Sequence, residues 1–146
     1  MIYTEMTRQA MRLCYQAHAG QLDKSGVPYV FHPIHLAEQM PDETTTITAL
    51  LHDVVEDTHY SLPDLAGMGF SQQVLDALAL LTHDDDTPYL EYVARLKNNP
   101  VARAVKLADL QHNSDLSRLP EPDPKAYARA EKYRKAIALL TGDAEL

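Results

Sequence analysis

The chain has 146 residues, of which 45% are hydrophobic, so we expect one folded domain, residues 1–146, with its own core. Thirteen Lys and Arg residues against 21 Asp and Glu residues give a formal net charge of −8, and the absence of a basic stripe argues against DNA or RNA as partner. No apolar run approaches the ~20 residues of a membrane span, and residues 1–7 lack the features of a secretion signal. We therefore expect a soluble, cytoplasmic protein without a membrane partner.

Hydrophobic periodicity predicts helices along nearly the whole chain, beginning with residues 4–18. This segment contains the single cysteine, Cys14, which is expected to be a packed thiol because its neighbours are apolar. Residues 20–29 hold Gly26 and are predicted to form a loop. Pro33 is then expected to open a second helix with His32 as its N-cap residue.

Further helices follow to the end of the chain, and alternation typical of strands is nowhere sustained. A wide apolar stripe predicts a third helix over residues 44–57, suited to the centre of a bundle. The remaining predicted helices cover residues 62–66, 71–81, 89–96, 100–112 and 125–140. The sequence therefore predicts an all-α helical bundle.

The third predicted helix carries an unusual concentration of polar side chains. His52 and Asp53 are adjacent, and Glu56 and Asp57 follow one turn later. We therefore expect one face of this helix to carry an imidazole and three carboxylates. Acidic groups so placed repel one another unless a cation or a substrate holds them.

Together with His32 and Asp109, the His52-Asp53 pair makes a mixed nitrogen and oxygen ligand set from three helices. Such a set suits Mn²⁺, Fe²⁺ or another borderline metal, which would polarise a phosphoryl oxygen and lower the pKa of a bound water. Taken singly, the pair could be a chance occurrence, His32 a helix cap and Asp109 a salt-bridged carboxylate. The combination, in its order and helical setting, favours a metal site.

This combination resembles the signature of the HD superfamily of phosphohydrolases. The longer text is similar to the hydrolase domain of RelA/SpoT homologues and to the small alarmone hydrolases, over about residues 4–140. The resemblance implies an all-α HD-domain helical bundle. The matching strings are Ala17-His18-Ala19-Gly20-Gln21, Lys24-Ser25-Gly26-Val27-Pro28-Tyr29, His32-Pro33, Ala49-Leu50-Leu51-His52-Asp53-Val54-Val55-Glu56-Asp57-Thr58, Lys106-Leu107-Ala108-Asp109 and His112-Asn113.

The resemblance also implies a role for each residue of the site. One Mn²⁺ ion would be bound by His32, His52, Asp53 and Asp109. The attacking water would be positioned or activated by Glu56 and Asp57. A pocket for a small nucleotide would be lined by Lys24, Ser25, Asn113, Arg129 and Tyr133. The implied reaction removes the 3′-pyrophosphate from guanosine tetra- or pentaphosphate, a step of the stringent response.

The chain departs from the family pattern beside the predicted pocket. Asp23 precedes Lys24 where the family usually has an arginine that packs against the guanine base, and residues 110–115 also differ. The metal chemistry is unaffected, whereas the base specificity is left open. Of the remaining histidines, His35 is expected at the surface. His59 and His83 could extend the site to two metals, although the chain lacks the His-His pair of such enzymes, which favours one ion.

Three hypotheses for the function remain. The first is hydrolysis of a nucleotide 3′-pyrophosphate, and the second is the same chemistry on another nucleotide or phosphorylated metabolite, motivated by Asp23. The third is a catalytically silent nucleotide-binding module, which Glu56 and Asp57 disfavour because a module that only binds does not need them. The sequence does not indicate an oligomeric state.

Overall fold

The computed structural model describes residues 1–142, so the last four residues of the predicted domain, 143–146, lie outside the described residues. The described part of the chain is helical and contains one isolated β-bridge, between Leu22 and Pro28. Its α-helices are α1 (Glu5–Ala17), α2 (Phe31–Glu38), α3 (Glu43–Leu51), α4 (Val54–Asp57), α5 (Leu62–Gly67), α6 (Gln72–Leu81), α7 (Tyr89–Leu96), α8 (Pro100–Asn113) and α9 (Pro124–Thr141). The all-α prediction is confirmed. Within residues 1–142, no helix is long and apolar enough to cross a membrane.

Helix α3 lies at the centre of the bundle. Its residues 45–51 are all buried, and it packs against α1, α2, α6 and α8, while α9 packs against α7 and α8. Cys14 is buried on α1, as predicted for a packed thiol. The arrangement brings the first turn of α2, the end of α3 and the last turns of α8 together.

Helix α2 begins earlier than the sequence predicted. Its N-cap residue is Val30, and His32 is the second helical residue, so the prediction of His32 as N-cap is wrong. Pro33 is tolerated one position later because the N–H groups of a first helical turn have no acceptor within the helix. The early start places the buried ring of His32 inside the protein.

The predicted helix over residues 44–57 is broken into α3 and α4. His52 is the C-cap residue of α3, and Asp53, with φ −106° and ψ 1°, is the N-cap residue of α4. The prediction that one helical face carries the imidazole and the three carboxylates is therefore wrong. Hydrophobic periodicity does not detect the break, because the apolar residues on both sides of it remain in the core.

Candidate metal centre and adjoining cavity

Three elements of the bundle each supply buried polar side chains to one point. His32 comes from α2, His52 from the end of α3 and Asp109 from α8, and their ligand atoms all lie within 4.8 Å of one another. His52 Nε2 is 3.6 Å from Asp109 Oδ1 and 3.1 Å from Asp53 Oδ2, and His32 Nε2 is 2.8 Å from Asp109 Oδ1. Two atoms that are each about 2.1 Å from a common ion lie about 3 Å apart at a right angle. We call these four residues the ligand cluster.

His52 provides a test of whether the ligand cluster fits a cation. Its Nδ1 is 2.7 Å from the carbonyl oxygen of Ala49, so Nδ1 carries a proton and Nε2 is the nitrogen available to a metal. That Nε2 is buried and, although carboxylate oxygens of Asp53 and Asp109 lie 3.1 and 3.6 Å away, it makes no hydrogen bond of regular geometry. An unpartnered buried polar atom costs about 1–3 kcal/mol, a cost that a bound cation would remove. The residues present therefore fit a divalent metal ion.

Asp53 joins the ligand cluster to a second group of acidic side chains. Carboxylate oxygens of Asp53, Glu56 and Asp57 also lie within 4.8 Å of one another. Burial raises the pKa values of Glu56 and Asp57, and the neighbouring carboxylate of Asp53 raises both further. Although the three carboxylates do not share a helical face, the turn between α3 and α4 still brings them together.

Glu56 is anchored on one side only. Its Oε1 accepts a hydrogen bond of 2.8 Å from the backbone N–H of His83, in the connection between α6 and α7. The imidazole of His83 faces away, with Nε2 2.6 Å from the carbonyl oxygen of Thr87. Neither His59 nor His83 belongs to an acidic or histidine cluster in the described part of the chain. The other carboxylate oxygen of Glu56 makes no hydrogen bond to the described residues.

A cavity of about 380 Å³ adjoins the ligand cluster. Tyr29 lines it and donates a hydrogen bond to Asp53 of the cluster. Asn113 also lines it and donates a hydrogen bond of 2.9 Å to Asp109. All residues predicted to bind the nucleotide are on its walls: Lys24, Ser25, Asn113, Arg129 and Tyr133. We call it the basic cavity, since the side chains of Lys24, Arg118 and Arg129 line it.

Comparison with known proteins gives three informative relatives among curated sequences. The chain is 33% identical over 148 residues to a probable GTP pyrophosphokinase of Mycobacterium leprae, covering 92% of this chain and 19% of that protein. It is 33% identical over 145 residues to the bifunctional (p)ppGpp synthase/hydrolase RelA of Mycobacterium tuberculosis, covering 91% of this chain and 20% of RelA. It is 45% identical over 62 residues to the bifunctional (p)ppGpp synthase/hydrolase SpoT of Escherichia coli, covering 40% of this chain and 9% of SpoT. Over most of its length the chain is homologous to one part of RelA/SpoT proteins.

The chain spans about a fifth of the length of the two mycobacterial relatives. No protein-family model matches it. A solved structure described as a metazoan ortholog of SpoT that hydrolyzes ppGpp superposes with a TM-score of 0.76 at 24% identity, covering 97% of this chain and 89% of that one. The fold is therefore the all-α, HD-domain-like fold of that structure.

Sequence reasoning missed two residues that hold the candidate ligands in place. Lys106 is buried, and its Nζ lies 3.0 Å from Asp109 Oδ2 and 5.4 Å from the ring centre of Tyr92. Burial would raise the pKa of Asp109, but Lys106 and the two cluster histidines hold it well below its usual range. Tyr29, which the sequence analysis placed only within a matching string, donates a hydrogen bond to Asp53. The spacing of Lys106 and Asp109, three residues apart on a helix, was the one available signal.

Two further residues beside the site were also missed as functional positions. His112 lies with its Nδ1 2.7 Å from Nδ1 of His32, and its pKa is lowered to about 4 by burial and by Arg118. Arg118 belongs to a short 3₁₀ turn, Leu116–Arg118, that follows α8 and reaches the basic cavity. His35 is exposed, as predicted, and its ring centre is 4.1 Å from that of His112.

Proposed function

We propose that this chain is a metal-dependent phosphohydrolase that removes the 3′-pyrophosphate from guanosine tetra- or pentaphosphate. The observation that carries the proposal is the junction of the ligand cluster with the basic cavity through Tyr29 and Asn113. A polyphosphate held in that cavity would have a phosphoryl group beside the cluster. The relatives support the proposal, since one is named a (p)ppGpp synthase/hydrolase and the similar structure belongs to a protein described as hydrolysing ppGpp.

One divalent cation would be held by the ligand cluster: His32, His52, Asp53 and Asp109. We propose Mn²⁺, because two imidazoles and two carboxylates suit a borderline metal and the cluster has no thiolate. When bound, the cation polarises a phosphoryl oxygen and lowers the pKa of a water. The tautomer of His52, fixed by the carbonyl of Ala49, keeps its Nε2 ready for this role.

Glu56 is the proposed proton acceptor for the attacking water, and Asp57 would help to orient that water. The raised pKa of Glu56 makes it a better base than an ordinary glutamate. The hydrogen bond from the backbone of His83 fixes one carboxylate oxygen and leaves the other for the water. Glu56 would thus take up the proton of the water while Asp57 helps to hold that water in position.

Substrate binding is assigned to the basic cavity. Neither Lys24 nor Arg129 has an ion-pair partner among residues 1–142, and burial and the nearby positive charge of Arg129 lower the pKa of Lys24. Two unpaired cations on one cavity wall would be stabilised by phosphate groups. Tyr133 and Asn113 would complete the contacts with the nucleoside.

A second candidate substrate is a nucleotide with another base. The observation that favours it is the set of contacts made by the carboxylate of Asp23. Its carboxylate is engaged by Ser25 and Val27 and lies near Arg118, so the family's arginine has no direct equivalent at this position. The base-binding wall therefore differs from that implied by the resemblance. A nucleotide with another base would fit the same metal chemistry.

The test is a product assay with purified protein and added Mn²⁺. The substrates are guanosine tetraphosphate, its adenosine counterpart, and ordinary nucleoside di- and triphosphates. We expect release of pyrophosphate from the guanosine compound, loss of turnover with a chelator, and recovery on adding Mn²⁺. Preferred turnover of the adenosine compound would support the second candidate, and turnover of none would overturn the proposed function. The Asp53→Ala variant, purified in parallel, controls for contaminating hydrolases.

A further inference from the structure

The two imidazoles of the ligand cluster are oriented in the same way. His52 directs Nδ1 to the carbonyl oxygen of Ala49 at 2.7 Å and Nε2 toward the carboxylates. His32 directs Nε2 to Asp109 at 2.8 Å and Nδ1 to Nδ1 of His112 at 2.7 Å. The one difference is that His32 meets an imidazole where His52 meets a backbone carbonyl.

Two ring nitrogens at 2.7 Å can form a hydrogen bond only if one of them carries a proton and the other a lone pair. The planes of the His32 and His112 rings differ by 4° and their centres are 5.0 Å apart, about the separation of two imidazoles that meet edge to edge at these nitrogens, so the donor N–H and the acceptor lone pair lie close to a common plane. A carbonyl can only accept, whereas an imidazole can do either. Binding of a metal through Nε2 of His32 selects the arrangement in which His32 carries its proton on Nδ1, because a ligand nitrogen must be free of its proton.

We propose that His112 is a positioning residue. It accepts a hydrogen bond from the Nδ1–H of His32 and so leaves Nε2 of His32 free to bind the cation. The inference rests on the metal site of the proposed function and extends it to a residue outside the ligand cluster. A metal-bound histidine generally donates its other N–H to a carboxylate, carbonyl or water, which fixes the ring. Here a second imidazole takes that place.

His112 is itself held firmly enough for this role. The ring of His35 lies against it, with the ring centres 4.1 Å apart and the planes at 30°. The backbone carbonyl of His112 accepts a hydrogen bond of 2.9 Å from Arg118. Helix α8 therefore supplies the ligand Asp109 and, one turn later, both the support for His32 and the Asn113 amide that contacts Asp109.

The test compares two substitutions that preserve different properties of His112. His112→Asn keeps an oxygen near the position of Nδ1 that can accept a hydrogen bond. His112→Phe keeps a ring that can pack on His35 but cannot accept a hydrogen bond. We expect the Phe variant to bind Mn²⁺ about 10–100-fold more weakly than the wild type and the Asn variant to keep most of the affinity. A role in packing alone predicts the reverse order. His59→Ala, at an exposed histidine outside the site, is the matched control.

Mn²⁺ affinity is measured by titration calorimetry on metal-free protein, so the result does not depend on turnover. Equal affinities of the wild type and the Phe variant would overturn this inference alone. A wild type that binds no Mn²⁺ would overturn the metal site and the inference with it. Tight Mn²⁺ binding without turnover of any nucleotide would overturn the proposed reaction and leave the role of His112 standing.

A second measurement tests the inference on the wild type, so it applies even if a His112 variant does not fold. In the wild type loaded with diamagnetic Zn²⁺, long-range ¹H–¹⁵N spectra distinguish the tautomers of His32. The inference expects the proton on Nδ1. A proton on Nε2 would mean that His32 binds the metal through Nδ1, and would overturn the inference.

Discussion

Asp23 and Arg118 form an ion pair in the wall between two cavities, with an oxygen–nitrogen distance of 3.7 Å. The basic cavity lies on one side, and on the other is a cavity of about 430 Å³ that reaches His32 and His112. The second carboxylate oxygen of Asp23 accepts three hydrogen bonds, from the backbone and hydroxyl of Ser25 and from the backbone of Val27. Asp23 thus braces its own loop, and a guanidinium reaches the cavity wall from elsewhere in the chain.

The first prediction separates the two roles of Asp23. Asp23→Ala removes the side-chain acceptor of these three hydrogen bonds and should lower the free energy of unfolding by about 1–3 kcal/mol. Asp23→Asn keeps an acceptor oxygen and loses mainly the partly exposed ion pair, which is worth less than about 1 kcal/mol. Urea denaturation of both variants checks the order. Equal stability of the Ala variant and the wild type would show that the loop does not depend on this carboxylate.

The second prediction concerns the ligand cluster. His52→Ala and Asp53→Ala should each abolish metal binding and activity while preserving most of the helical circular dichroism, since the role proposed for these side chains is to bind the metal. Metal analysis of the purified variants is the measurement, with His59→Ala as the control that keeps both properties. Wild-type metal content in either cluster variant would contradict the assignment of that residue.

The third prediction separates proton transfer from binding. Glu56→Gln can still accept the hydrogen bond from the backbone of His83 but cannot accept the proton of the water. We expect kcat to fall by about 10²–10⁴-fold while metal content and KM stay near those of the wild type. Glu91→Gln, whose carboxylate pairs with Arg95 on the surface, should leave kcat unchanged. An unaltered kcat in the Glu56 variant would reduce Glu56 to a structural role.

The fourth prediction is the pH dependence of this step. Glu56 must be ionised to accept a proton, so kcat should decline as the pH falls through its pKa. Because burial and the acidic neighbours raise that pKa above the ordinary value of 4.5, the decline should be centred above pH 4.5. Rates are measured at saturating Mn²⁺ to separate this effect from loss of the metal. A decline centred at or below pH 4.5 would contradict the raised pKa.

The fifth prediction concerns Cys14. Burial raises the pKa of its thiol to about 12, and the negative charge of Asp53 adds to the shift. The folded protein should therefore contain almost no thiolate at pH 8, and iodoacetamide should leave Cys14 unmodified until the protein is denatured. Mass spectrometry before and after unfolding in guanidinium checks this. Rapid alkylation of the native protein would show that the thiol is accessible.

Much of the fold could be predicted from local patterns. Residues 4–18 form α1 within one residue at each end, because Thr4 and Thr7 make a capping box at its start. The predicted helix at residues 89–96 coincides with α7. The start of α2 and the break at Asp53 could not be predicted, since each is a change of backbone direction at one or two residues that leaves the apolar periodicity intact.

Most of the helices, the choice of His32, His52, Asp53 and Asp109 as candidate ligands, and the similarity to RelA/SpoT enzymes could all be read along the amino-acid sequence. Helix formation depends on neighbours within about one turn, and ligand type depends on side-chain chemistry, so both can be read along the chain. The groups that contact those candidate ligands are seen only in the folded protein: Lys106 at Asp109, Tyr29 at Asp53, and His112 at His32. Two of these contacts join residues 24 and 80 positions apart, and packing of separate helices brings such residues together where spacing in the sequence cannot.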